Sequence, residues 1–112
     1  MEIKKVIAIF DELRFEDIQN ALVDHAVTEF SAHKIQGRGR YYDSFNRNHL
    51  IAHIQLEVYT NAEYAKKIAD LILSVAYVNS LGEGMVAIEP VNELFWIHTK
   101  SRVSLDDFNY KE

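Results

Sequence analysis

An α+β domain with the element order βαββαβ, its two helices on one face of a four-stranded antiparallel sheet, is the architecture this sequence predicts. Three observations predict it. Apolar residues alternate with period two in several short segments, they recur at helical spacing in two segments between those, and the four glycines all fall in two doublets, Gly37-Arg38-Gly39 and Gly82-Glu83-Gly84. Glycine serves where a chain needs positive φ or a close backbone approach. The doublets therefore mark two tight places, read either as plain turns or as loops whose backbone N–H groups meet an anion.

Glu2 to Phe10 reads as a strand, with Ile3, Ile7 and Ile9 on one alternation and Val6, Ala8 and Phe10 on the other. Both alternations are apolar, so both faces are expected to be covered. A helix follows from Arg14 to about Ala26: Ile18, Ala21, Leu22 and His25 recur at helical spacing, and Glu16 and Asp17 suit its first turn. Phe30 to Gln36 is a second strand that runs into the first doublet, and Arg38 to about His49 is an aperiodic polar and aromatic loop. Leu50 to Tyr59 alternates again, with Ala52, Ile54, Leu56 and Val58 facing one way. Thr60-Asn61-Ala62-Glu63 fits a capping box. The helix it opens carries Ala65, Ile68, Ala69, Ile72, Val75 and Ala76 on one stripe and fades near Asn79. Met85 to Ile88 and Leu94 to Thr99 are two further short strands, separated at Pro90, the single proline. The segment from Lys100 to Glu112 is charged and aperiodic, expected to be mobile or docked on a neighbour. This order is the split βαβ, ferredoxin-like arrangement. It leaves one sheet face without helices; Phe10 and Trp96 are expected there, and an apolar bare face calls for a partner, most simply copies of the same chain.

The 112 residues suffice for one domain. There is no cysteine, which removes disulfides, thiolate zinc sites and cysteine nucleophiles from consideration. A net charge of −5 argues against an electrostatic grip on nucleic acid. No apolar run reaches the roughly 18–20 residues that span a bilayer. The N-terminal residues lack the pattern of a signal peptide, so the cytoplasm is the expected location.

Several stretches, taken together in order, resemble the PII signal-transduction family. They are Lys4-Lys5-Val6-Ile7-Ala8-Ile9, against a family strand K-K-I-x-A-I, and Phe15-Glu16-Asp17-Ile18, against L-D-D-V. Ile35-Gln36-Gly37-Arg38-Gly39-Arg40 stands against V-K-G-F-G-R. Leu56-Glu57-Val58-Tyr59-Thr60-Asn61-Ala62 stands against I-E-I-V-V-P-D, and Leu81-Gly82-Glu83-Gly84-Met85-Val86 against I-G-D-G-K-I. The likeness covers about residues 3 to 99, which suggests a PII-like ferredoxin-like domain over residues 1–99 and a charged C-terminal tail over 100–112. It implies a homotrimer with nucleotide clefts between subunits. It also implies a regulatory rather than enzymatic role, and a target-docking T-loop running here from about Arg40 to His49.

The departures narrow what the resemblance implies. The T-loop is short and lacks the Y-R-G-A-E-Y signature, although Tyr41 and Tyr42 lie in it; Tyr41 also replaces the glutamine tied to 2-oxoglutarate and magnesium. Three cationic phosphate ligands become Met85, Trp96 and His98. A triphosphate carries about four negative charges and charge-assisted contacts are the strong ones, so weak or absent ATP binding and no standard 2-oxoglutarate sensing are expected. The residues expected around a smaller adenine nucleotide, AMP or ADP, are Ile9, Ser31, Gly37, Arg38, Gly39, Arg40, Glu57, Tyr59, Gly82, Glu83, Gly84, Trp96 and His98. Bicarbonate is a second candidate ligand; no cofactor is required and no catalytic residue is assigned. Trp96 either stacks on a ring or fills the space an arginine left. By resemblance the protein target is a membrane transporter for inorganic carbon or ammonium.

Other constellations yield less. His49 and His53 are four apart, but on loop and strand rather than one helix face, so they do not form a metal pair. Glu57 and His98 are both expected on the bare sheet face, where pairing would make ligand binding pH-sensitive near neutrality. Arg38, Arg40 and Arg47 make the loop locally basic. No hydrolase elbow, H-E-x-x-H or phosphate-loop motif occurs. Two alternatives stay open: a trimeric scaffold that has lost ligand binding, and a metal-binding protein or small enzyme on the same fold.

Overall fold

The computed structural model describes residues 2–37, 51–77 and 84–112. Strand β1, Ile3–Asp11, buries Val6, Ala8 and Phe10 on one alternation and leaves Ile3, Ile7 and Ile9 half-buried on the other. A 3-10 turn, Glu12–Arg14, follows, started by the Asp11 carboxylate accepting from the Leu13 N–H at 2.9 Å. Helix α1, Phe15–Asp24, has Glu16 and Asp17 in its first turn and buries Ile18 and Leu22. It ends in a Schellman motif: the Val27 N–H donates to the Leu22 carbonyl at 2.8 Å and the Ala26 N–H to that of Val23 at 3.0 Å. Ala26 takes the left-handed position, φ 68°, that glycine usually fills, and Val27 joins the core beside Leu22.

Strands β2, Ser31–Gly37, and β3, Ile51–Asn61, lead to helix α2, Ala62–Ala76, and strand β4, Gly84–Val91. The sheet order is β2-β3-β1-β4 with every neighbour antiparallel. This is the ferredoxin-like arrangement expected. Val6, Ala8, Phe10, Ile54, Leu56 and Val58 rise from the sheet to meet Ile18 and Leu22 of α1 and Ala65, Ile68, Ala69 and Ile72 of α2. Each fully buried aliphatic or aromatic side chain in that layer contributes about 1.5–3 kcal/mol.

Several expectations change. Phe10 is 1% exposed and belongs to the helix-covered core, not the bare face, because it shares the alternation of Val6 and Ala8. The bare face instead carries Ile3, Ile7 and Ile9 among Lys5, Gln55 and Glu57. The cap of α2 is Asn61, whose Oδ1 accepts from the Tyr64 N–H at 2.8 Å; Thr60 is 1% exposed and still part of the strand. Pro90 sits inside β4 rather than ending it, opposite Lys4. That is tolerated because β4 is an edge strand and a missing donor costs nothing on its outer side.

The expected strand over Leu94–Thr99 shrinks to β5, Phe95–Trp96. It pairs with β6, Ser101–Arg102, as a separate hairpin, so Trp96 is not on the main sheet at all. Residues 103–112 pack on their own chain. The Val103 N–H donates to the Leu94 carbonyl at 2.9 Å, and Val103 is buried. A 3-10 turn, Leu105–Asp107, is closed by a capping box between Ser104 and Asp107. At the far end the Lys111 N–H donates to the His25 carbonyl at 2.8 Å, and His25 Nδ1–H donates back to the Lys111 carbonyl at 2.7 Å. Tyr110 stacks on His25 with ring centroids 5.3 Å apart, and Lys67 meets Glu112 at 2.5 Å. Among the described residues no helix is long and apolar enough to cross a membrane.

Candidate functional site

A cavity of about 340 Å³ opens where β3 outruns β2. The register of the two strands ends at Ser31↔Glu57, so Val58, Tyr59 and Thr60 continue along an edge that β2 does not cover. The gap is framed by residues 26–30 after the Schellman motif, by Leu94, Phe95 and Trp96, and by Asp107, Phe108 and Asn109. The Schellman motif fixes the first wall and the capping box of Ser104 and Asp107 the last. The volume lies in the range of about 300–1,000 Å³ of small-molecule pockets.

Four residues expected around a nucleotide meet here: Ser31, Glu57, Tyr59 and Trp96. Trp96 donates its indole N–H to Asp107 Oδ2 at 2.9 Å, which also accepts from the Ser104 N–H at 3.0 Å. These two donors, the indole first, hold the Asp107 carboxyl below the usual carboxylate range. The Glu57 carboxylate lies 3.7 Å from Lys5 Nζ and 3.5 Å from the Gln55 amide, and the same ammonium sits 5.9 Å from the Tyr59 ring centroid. Among the described residues, the lining holds carboxylates of Glu29, Glu57 and Asp107 but no lysine or arginine.

The other expected residues lie elsewhere. Ile9 and Gly84 border a second cavity of about 90 Å³ between β1, β4 and the end of α2. Gly37 pairs with Ile51 at the opposite end of β2, six residues from Ser31, which is about 20 Å along a strand. His98 is exposed in the turn between β5 and β6, its ring 5.7 Å from that of Trp96. It does not pair with Glu57, which Lys5 occupies instead, so the pH switch expected of that pair has no basis within the chain. Arg38, Gly39, Arg40, Gly82 and Glu83, with the loop to His49, lie outside the described residues. Among the described residues no three of His, Asp or Glu cluster as a metal would require.

Sequence reading missed Asp107 and Thr60. The signal for Asp107 was indirect: a tryptophan at a strand end needs an acceptor for its N–H. The signal for Thr60 was its alternation with Val58 and Leu56, which puts it on the covered face.

The geometry can be set beside known proteins. The family model described as nitrogen regulatory protein P-II matches residues 3–101. A nitrogen fixation nifHD region glnB-like protein 1 of Methanococcus maripaludis is 23% identical over 107 residues, covering 88% of this chain and 96% of that protein. The nitrogen regulatory protein P-II 2 of Methanothermobacter thermautotrophicus is 25% identical over 103 residues, covering 86% and 90%. The crystal structure of Arabidopsis thaliana PII bound to citrate superposes with a TM-score of 0.78 at 19% identity, over 91% of this chain and 89% of that one. That structure is alike in fold.

Proposed function

Since the chain belongs to the nitrogen regulatory protein P-II family, we propose that it is a regulator that binds a small adenine nucleotide, AMP or ADP in preference to ATP, in clefts between the subunits of a homotrimer. A small anion such as bicarbonate accompanies the nucleotide. Binding changes how residues 40–49 or the C-terminal segment dock on a protein target, a membrane transporter for inorganic carbon or ammonium. The effect requires that the ligand favour one arrangement of those segments over the other.

One observation carries the reading. The expected ligand residues divide between the two ends of the sheet, with Ser31, Glu57, Tyr59 and Trp96 at one cavity and Ile9 and Gly84 at another. A single nucleotide reaches both sets only if two copies of the chain face each other. The aromatic cavity, whose described lining includes no lysine or arginine, suits a base, and the glycine doublets with Arg38 and Arg40 suit a short phosphate. A ligand-free scaffold is the second reading, favoured by the Trp96–Asp107 hydrogen bond, which gives the indole a structural partner without any ligand.

Calorimetric titration of the purified oligomer, its mass fixed by light scattering, separates them. AMP, ADP and ATP are each titrated with and without bicarbonate. The expected result is a trimer with about one nucleotide per subunit and no preference for ATP. Absence of heat from a folded trimer overturns the nucleotide reading in favour of the scaffold.

A further inference from the structure

We infer that Thr60 is a ligand-binding residue of the cavity that holds Ser31, Tyr59 and Trp96, its hydroxyl donating to a ring nitrogen of the base; this rests on the nucleotide reading above. Thr60 lines that cavity and is 1% exposed. Its Oγ1 is buried without a hydrogen-bond partner among the described residues. The capping role that would have used the hydroxyl belongs to Asn61.

A buried hydroxyl left unpaired is a cost that a valine of nearly the same shape avoids. The neighbours on the same strand alternation, Ile54, Leu56 and Val58, are all aliphatic. Among the described residues, then, the hydroxyl makes no hydrogen bond that the fold uses, and its position at a small-molecule cavity gives it a use. The chemistry of the walls states what it would meet. Phe30, Trp96 and Phe108 provide aromatic surface and Val27 and Ile68 aliphatic surface, and among the described residues the lining includes no lysine or arginine. A planar heteroaromatic ring fits such walls, and a threonine O–H satisfies an acceptor on that ring. The phosphate stays outside.

The test compares wild type, Thr60→Val and Thr60→Ser. Each is titrated calorimetrically with AMP and with adenosine and melted without ligand. Wild type is expected to bind both. Thr60→Val is expected to melt no lower than wild type and to bind both ligands about three- to tenfold more weakly, the loss of one hydrogen bond. Thr60→Ser, which keeps the hydroxyl, is expected to bind within about twofold of wild type. A Thr60→Val protein that binds as tightly as wild type overturns the assignment and leaves the nucleotide reading standing. A Thr60→Val protein that melts lower or fails to fold shows that the hydroxyl serves the fold, and also overturns it. A wild type that binds neither ligand overturns the nucleotide reading, and the assignment with it.

Discussion

A Cβ at position 84 would lie 1.7 Å from the carbonyl oxygen of Ile9, so β1 and β4 approach each other there at a distance only glycine permits. Gly84 also has φ +113°, a conformation L side chains rarely adopt. Clash and dihedral act on the same atom, at the point where the second glycine doublet enters the sheet opposite Phe10.

Gly84→Ala is therefore expected to cost about 3 kcal/mol or more, since β1 lies at the centre of the sheet and cannot yield cheaply. Urea denaturation measures this. A loss under about 1 kcal/mol would show that the strand pair relaxes around a methyl group.

The opposite substitution is expected to help at position 26. Ala26 closes the Schellman motif at φ 68°, where a Cβ is disfavoured by about 1–2 kcal/mol. Glycine gives back part of that in unfolded-chain entropy. Ala26→Gly should raise stability by about 0.5–1 kcal/mol, read as a higher urea midpoint at unchanged slope.

The C-terminal segment should loosen at both ends of the pH scale while the core stays folded. Asp107 is held below its ordinary pKa by the Trp96 and Ser104 N–H groups, and Glu112 by Lys67. A carboxyl depressed in this way supports the folded segment above its ordinary pKa, and the support is lost as pH falls through the depressed value. Lys67 is raised by Glu112, so its support is present below lysine's ordinary pKa and is lost as pH rises through the raised value. Trp96 fluorescence, followed from neutrality to below about pH 4, should change before the far-ultraviolet circular dichroism does. Asp107→Asn should remove most of that acid limb. A tryptophan signal that moves only with global unfolding would contradict this.

The sheet and its helices were legible because they rest on local periodicity. Val6, Ala8 and Phe10 announce a face, and Ala65, Ile68, Ala69 and Ile72 announce a stripe. What was not legible depends on residues distant in sequence. Residues 100–112 look like a solvated charged run, yet Val103 is buried and Lys111 bonds to His25, 86 residues away. Thr60 and Asn61 are both good caps; the T-x-x-E pattern favours the first, and the strand's alternation, which turns Thr60 toward the helices, decides for the second. Four of the eight described candidate residues, Ile9, Gly37, Gly84 and His98, lie away from the cavity of Ser31 and Trp96 for a related reason. Spacing along one chain does not say which ends of a sheet a ligand must bridge.

Residues 107–109 form one wall of the cavity that holds Ser31 and Trp96, and belong to the segment that ends in the clasp between Lys111 and His25. Thermodynamic linkage follows from that double membership. A molecule held in the cavity and a protein that peels the segment away compete for the same wall, so each weakens the other by an identical factor. On the proposed function, communication between the two needs no distant relay, because the cavity and the segment share residues 107–109.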